Sequence, residues 1–410
     1  MPSAKKKPAK SRTAAVTKFE AAKRSDIPEV ARLITLAFAG TLERSTKWVK
    51  ENGLENIRVL REGKAIPACL RRIEMGQFFG GKRVPLCGIA GVATAPESRG
   101  RGHARRMMEE CVREMHKRGE AIGGLYCSTQ ALYRQSGFEQ AGHRFMTKVP
   151  VARLLGGPKT RRVIALKESD QPRIEACYRR FASRFDGMLD RTQYIWKRIK
   201  ERPDDKFQGY GVLDDRGELT GYLFMAQSRD TNSIRQELQL SDIAFTSEEA
   251  GKQLIAFLAD YEPMADFVTL AGGPLHPLMT LLPQQRYEVK FKDYWMLRVV
   301  DVKRAMEARG YSSAVRGSVG IDVQDDVVAA NNGRWSAEFA DGRARLKKIG
   351  AAGGSRSGIS CGIRGLAAIY SGLYSPRQAA LIGLCSGEDK ALDILGGALA
   401  GGTPWMSDHY

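Results

Sequence analysis

Val84-Pro-Leu-Cys-Gly-Ile-Ala-Gly-Val-Ala-Thr-Ala95-Pro96-Glu-Ser-Arg99-Gly100-Arg101-Gly102-His103-Ala104 is the stretch on which the reading of this chain turns. The run from Val84 to Ala95 is apolar and stops at Pro96, as a buried strand would. A helix is predicted after the glycines, with Ala104, Met107, Met108, Cys111, Val112 and Met115 on one face. A strand, a glycine-containing loop and a helix start together make an anion site. Glycine lets the backbone approach a ligand closely, and the first N–H groups of a helix have no helical acceptor. Arg99 and Arg101 add positive charge. Three readings are open: an exposed basic turn, a contact with nucleic-acid phosphate, or a cradle for the pyrophosphate of a cofactor. No Gly-Lys-Ser/Thr follows, which excludes a P-loop. The Gly-x-Gly-x-x-Gly spacing of a dinucleotide fingerprint is absent too.

Downstream, a second strand is predicted over Ile122–Cys127, followed by Ser128-Thr129 and then Tyr133-Arg-Gln-Ser-Gly137-Phe138. Tyr133 is either a helix residue packing its ring or a phenol placed to give up a proton. Cys127 is read as a strand residue, since nothing in the sequence pairs it with a base.

The chain also contains an internal echo. Phe19-Glu-Ala-Ala-Lys-Arg-Ser25-Asp26-Ile-Pro28 is matched by Ile164-Ala-Leu-Lys-Glu-Ser169-Asp170-Gln-Pro172. In each copy a short strand ends, an Asp is expected to cap a helix, and Pro falls in the first turn, where its missing N–H costs nothing. Hairpins follow, turning at Glu62-Gly63-Lys64 and at Asp214-Asp215-Arg216-Gly217. The shared order of strand, helix and hairpin predicts a duplication. In the second copy the strand Leu238–Phe245 runs into Thr246-Ser247-Glu248-Glu249. Those carboxylates suit a helix start but would repel a pyrophosphate, so this copy is expected to have lost its ligand. Beyond about residue 294 the texture changes. Turns are expected at Asn331-Asn332-Gly333 and Asp341-Gly342, then a Gly/Ser loop from Gly350 to Gly358, then helices over 364–373, 376–385 and 389–400. This predicts a third, α+β domain.

A length of 410 residues suits two or three domains. With 43% hydrophobic and 27% charged residues, the composition is that of a globular protein. No apolar run is long enough for a membrane span, and the N-terminus lacks the apolar core of a signal peptide. Seven cysteines without a Cys-x-x-Cys pair argue for reduced thiols, a cytoplasmic setting and no zinc cluster. The five histidines have no ligand spacing, so no metal is expected. Of the net charge of +19, six positive charges lie in the acid-free N-terminal stretch that includes Lys5, Lys6, Lys7, Lys10, Arg12 and Lys18. Residues 1–16 are expected to be a disordered tail, solubilising or in weak contact with nucleic acid.

These features resemble the enhanced-intracellular-survival (Eis) family of GNAT N-acetyltransferases. The resemblance rests on the loop at 99–104, the Ser128…Tyr133…Gly137-Phe138 run and the terminal Pro404-Trp405-Met406-Ser407-Asp408-His409-Tyr410. It implies an α/β and α+β chain: two tandem GNAT folds, 17–150 and a degenerate 151–293, then a sterol-carrier-like domain, 294–410. It implies acetyl-CoA as co-substrate. Val92, Ala93 and Thr94 would bond the pantetheine. Arg99, Gly100, Arg101, Gly102, His103, Ala104 and Arg105 would hold the pyrophosphate, with Ser128 and Thr129 nearby. It implies Tyr133 as proton donor and the α-carboxylate of Tyr410 as proton acceptor. The acceptor would be an aminoglycoside, lysine or polyamine-like amine, and the assembly a hexamer. Two departures are visible. Thr-Gln-Ala-Leu stands between Ser128 and Tyr133 where many relatives carry acid and glycine, and Tyr410 stands where Phe is common. A lipid carrier acting through the third domain is the alternative.

Overall fold

In both copies of the repeat, the aspartate expected to cap a helix reaches backward instead. The carboxylate of Asp26 accepts from the Lys23 main-chain N–H at 2.8 Å, and that of Asp170 from Lys167 at 2.9 Å. Each closes one turn of 3-10 helix ahead of the α-helix, and Pro28 and Pro172 fall in the first turn as expected. The duplication therefore extends to an identical local device.

The computed structural model describes residues 17–410 apart from 155–156, 158–159, 203–204, 230–233 and 351–357. The expected basic tail and most of the Gly/Ser loop lie outside these residues. The chain forms two compact units. One comprises the described residues up to Arg72 together with Ala90–Glu110; the other comprises Ile73–Ile89 and Cys111–Tyr410.

In the first unit, β1 (Thr17–Ala21) pairs antiparallel with β2 (Ile57–Glu62), which pairs with the start of β3 (Ala65–Phe79) through the expected turn at Gly63. The later half of β4 (Lys82–Thr94) follows in sheet order. Helices α1 (Ile27–Phe38) and α2 (Leu42–Glu51) cover this sheet, burying Val30, Leu33, Ile34 and Val49 against Val59, Ile66 and Ala93. Helix α3 (His103–Lys117) starts here and buries Met107, Met108, Cys111, Val112 and Met115, the predicted stripe.

In the second unit, β4 pairs parallel with β5 (Ile122–Tyr126). Helix α4 (Gln130–Gln135) and β6 (Glu139–Pro150) follow. The second repeat supplies β7 (Arg162–Ala165), α5 (Gln171–Ala182), β8 (Leu189–Asp190), α6 (Gln193–Lys200), β9 (Gln208–Leu213), β10 (Leu219–Arg229) and β11 (Gln236–Phe245). It ends with α7 (Glu248–Ala259), β12 (Ala265–Gly272), α8 (Pro277–Thr280) and β13 (Glu288–Val299). Within each repeat the parallel pair is equivalent, β4 with β5 and β11 with β12. The last strands, however, are exchanged. β13 inserts beside β5, pairing Tyr126 with Trp295 and Ile122 with Val299, and β6 lies between β13 and β12. The boundary expected at 293/294 thus falls inside β13, because a strand that completes the other repeat carries no local mark of a domain end.

The remainder is a second sheet with helices. It contains α9 (Val302–Ala308), β14 (Gly317–Gln324), β15 (Gly333–Ala340), β16 (Arg343–Gly350), β17 (Ile359–Gly362), α10 (Ile363–Ser371), α11 (Pro376–Leu381), β18 (Cys385–Gly387) and α12 (Asp389–Ala398). Asp341 and Gly342 both take positive φ, 50° and 70°, and form the tight hairpin expected there. The turn expected at Asn331-Asn332-Gly333 is instead the end of a longer loop organised by Asp325. That carboxylate accepts from Asn331, from the Val327 and Val328 N–H groups and from the buried Arg298. Helices α10 and α11 stop at Ser371 and Leu381, short of the expected 373 and 385. Gly372 with φ 82° ends the first, and Gly383 with φ 72° follows the second.

Candidate active site

In the first unit, Gly91 breaks the regularity of β4 with a φ of 58°. A Cβ there would stand 2.8 Å from the Trp48 ring, so both the backbone and the packing require glycine. Val92, Ala93 and Thr94 follow this break: Ala93 is buried, and Val92 and Thr94 are half-buried. Pairing of β4 with β5 reaches only Ile89 opposite Leu125. The sequence reading did not single out Gly91. A glycine inside an apolar run was the available signal.

Ala95 donates to the Pro67 carbonyl at 2.9 Å, and Pro96–Ser98 form one 3-10 turn. The loop then reaches Gly100 (φ 76°) and Gly102 (φ 79°), and an added Cβ would meet nothing within 4 Å at either among the described residues. These glycines are demanded by conformation, with open space above the backbone. Helix α3 begins at His103, and its first helical bond joins the Arg106 N–H to the Gly102 carbonyl at 3.0 Å. The N–H groups ahead of Arg106 point out of the helix start, where an anion would be held. Arg99, Arg101 and Arg105 are exposed around the loop; Arg105 pairs with Glu109 at 2.8 Å. His103 is buried, 3.6 Å from Glu62, and its Nε2 has no hydrogen-bond partner among the described residues. Ala104 is half-buried in the first turn.

In the second unit, Ser128 and Thr129 are exposed between β5 and α4. Tyr133 lies on α4, 5% exposed, with its ring 6.4 Å from Phe138 in an edge arrangement. Burial, with a smaller contribution from the Cys127 thiol, pushes its pKa up to about 12. The phenol therefore stays protonated across the neutral range, and is a weaker acid than its ordinary value of about 10 had implied. Gly137 ends α4 with φ 83°, and a Cβ there would collide with the Arg298 guanidinium.

The end of the chain is pinned. His143 N–H donates to the Pro404 carbonyl, Met406 N–H to the His143 carbonyl, and Trp405 N–H to the Asp186 carbonyl, at 3.0–3.2 Å. The Tyr126 hydroxyl donates to the Asp408 carbonyl at 2.6 Å. Arg191, wholly buried, binds Asp408 at 3.0 Å and Asp242 at 2.5 and 2.8 Å, and stacks 3.7 Å from the Tyr178 ring centre. Burial raises the pKa of Asp408 against the lowering pull of Arg191. The ring of Tyr410 sits over Gly88 and Gly124: a Cβ at either would come within 2.8 Å of it. Sequence reasoning missed Arg191 and Asp242, since a partnership among residues 191, 242 and 408 has no local pattern.

At the second copy's helix start, Ser247 caps α7, Glu249 is bound by Arg161 at 2.7 and 2.9 Å, and Glu248 by Lys252. Carboxylates stand where the first copy has glycine and arginine.

Family models for an acetyltransferase (GNAT) domain match residues 18–141 and 187–299, and one for a sterol carrier protein domain matches 302–407. The crystal structure of a GCN5-related N-acetyltransferase from Anabaena variabilis aligns with a TM-score of 0.90 at 31% identity, covering 96% of this chain and 100% of that one. The chain belongs to the GCN5-related N-acetyltransferase family. A second member, from Kribbella flavida, aligns with a TM-score of 0.84 at 26% identity over 96% and 98% of the two chains. N-acetyltransferase Eis of Mycobacterium tuberculosis is 27% identical over 286 residues, 66% of this acetyltransferase and 67% of its own length. The two acetyltransferase domains followed by a sterol carrier domain are the architecture that the Eis-like resemblance implied. Among the described residues no helix is long and apolar enough to cross a membrane, and no group of metal-ligating side chains is present.

Proposed function

We propose that this acetyltransferase moves the acetyl group of acetyl-CoA to a primary amine, of the aminoglycoside, lysine side-chain or polyamine type, and that the first repeat carries the cofactor. The observation that carries the reading is the 99–105 loop. Its two left-handed glycines have open space where a Cβ would be, at the start of a fifteen-residue helix, and arginines surround it. That cradle fits a pyrophosphate. Residues 92–94, which follow the break at Gly91, offer main-chain groups to the pantetheine and to the thioester carbonyl. Ser128 and Thr129 add hydroxyls.

In the reaction the amine nitrogen forms a bond to the acetyl carbon and the carbon–sulfur bond breaks. The amine loses a proton and the departing thiolate takes one. Tyr133 holds the proton for the sulfur, and its raised pKa keeps it protonated until that moment. The main-chain carboxylate of Tyr410 takes the amine's proton, a role carried from the family resemblance and supported by the pinned tail. No covalent enzyme intermediate is needed, and burial raises the pKa of Cys127, which keeps it a poor nucleophile.

The domain order, with the last boundary moved from 293/294 to the end of β13 at Val299, the cytoplasmic setting and a hexameric assembly belong to the same reading. The last of these is testable by light scattering. Lipid carriage through residues 302–407 is less favoured. Side chains of Ile321, Phe339, Leu346, Leu366, Ile369 and Leu395 are all buried there and fill the domain's interior. The deciding experiment is thiol release from acetyl-CoA, measured against a panel of amines. Release that no amine accelerates would sink the proposal.

A further inference from the structure

A cleft of about 530 Å³ opens in the second repeat, between α6 and the strands β6, β11 and β12, and its wall includes Ser407, Asp408 and His409. His409 is the residue before Tyr410 in the chain, and Tyr410 itself does not line the cleft. Three arginines line it, Arg144, Arg198 and Arg202, together with Glu237 and Asp408. The acids are committed elsewhere: Asp408 to Arg191 at 3.0 Å, and Glu237 to Lys148 at 3.8 Å. Arg144 is likewise held, by two bonds to Asp293 at 2.7 and 2.9 Å.

Arg198 and Arg202 differ. Among the described residues neither forms an ion pair. Each lies over an aromatic face instead, Arg198 at 5.7 Å from the Tyr194 ring centre and Arg202 at 4.8 Å from that of Phe207. A guanidinium held by its face keeps the N–H donors of its edge available, in the fork that suits a carboxylate or phosphate. Arg202 keeps a solvent-exposed side, yet crowding by protein and then Arg198 lower its pKa, with Asp205 pulling it back up and Arg144 adding a smaller lowering. A bound anion would relieve that repulsion.

We infer that this cleft binds an acidic group carried by the amine acceptor, through the guanidinium edges of Arg198 and Arg202, which narrows the acceptor types proposed above to an amine that also bears a carboxylate or phosphate, as free lysine does. The inference rests on the acetyl-transfer reading above and names its substrate class. The degenerate repeat, whose cofactor loop carries Glu248 and Glu249, would then serve acceptor recognition.

Matched amines test it. Lysine is cadaverine with a carboxylate added, and phosphoethanolamine is ethanolamine with a phosphate added. Binding of all four to the full chain is measured by calorimetry at low salt, for the wild type and for an R198Q/R202Q variant. Both arginines are exposed and the variant keeps neutral hydrogen-bonding side chains there, so the fold should survive, which a melting curve checks. In at least one pair the acid-bearing amine should bind the wild type tenfold or more tightly than its partner, and the variant should lose that preference. The pair that responds tells carboxylate from phosphate. No preference in either pair, or a preference the variant retains, overturns the inference. Thiol release is read separately on the same amines. Binding preference without any acetyl transfer would sink the proposed function and leave the cleft assignment standing; transfer to cadaverine with no binding preference would do the reverse.

Discussion

For Tyr133 the sequence left two readings, a helix residue packing its ring and a phenol placed to give up a proton. Its burial beside Cys127, and with it a pKa of about 12, depends on packing that no spacing reports. With Tyr133 as the proposed proton donor, Tyr133→Phe should lower kcat by roughly 10²–10³ and leave the KM for acetyl-CoA unchanged. In the wild type, phenol ionisation should produce no fall of kcat below about pH 10. An alkaline limb centred lower, absent from the Phe variant, would contradict the raised pKa. At the proposed cofactor loop, Gly102→Asp should weaken acetyl-CoA binding at least tenfold, about 1.4 kcal/mol, by setting a carboxylate where the pyrophosphate is proposed to sit. Unchanged affinity by calorimetry would make the loop a mere surface turn. The packing that leaves no room for a Cβ at Gly91 comes from Trp48 on α2, more than forty residues earlier, so no local pattern reports it.

At the scale of elements, what was legible was what is local. The turns at Gly63 and Gly217, the stripe of α3 and the paired strand–helix starts at Asp26 and Asp170 all follow from residues within a few positions of each other. The pinned tail was not legible, because Arg191, His143 and Tyr126 hold it from distant parts of the chain. Extending the chain beyond Tyr410 by a short tag should cut kcat sharply while cofactor binding and melting temperature hold; full activity, with the tag confirmed by mass, would exclude the carboxylate as base. His276 packs 5.6 Å from Trp405 of that tail and caps α8, its Nδ1 accepting from the Leu278 N–H at 3.2 Å. Burial lowers its pKa to about 4. The unfolded chain takes a proton near pH 6.5 and the folded one only near 4. Stability is therefore full above 6.5 and lost as pH falls toward 4, by roughly 3 kcal/mol in all. Denaturant melts of His276→Asn should lack that part of the slope between pH 6.5 and 4, even if its stability at neutral pH is reduced; an unchanged slope would place the titration elsewhere.

For the whole molecule, the repeat was readable and the exchange of its last strands was not. A strand's sequence reports which face is apolar, but not which of two equivalent neighbours it will pair with. The exchange has a direct cost for any fragment. Residues 17–150 alone would leave β5 and β6 without the strand that lies between them, so this piece should show no cooperative melting transition. A piece extending through Val299 supplies β13 and should melt cooperatively. A cooperative transition in the shorter piece would mean that β6 can close directly on β5.

The same insertion sets an order of events during synthesis. Translation proceeds from the N-terminus at about 5–20 residues per second, so Ile122–Tyr126 emerges on the order of ten to thirty seconds before Glu288–Val299 does. Throughout that interval one edge of β5 is an open template for any passing strand. A nascent chain stalled before residue 288 should therefore be a strong client for chaperones, and one released just after 299 a much weaker client.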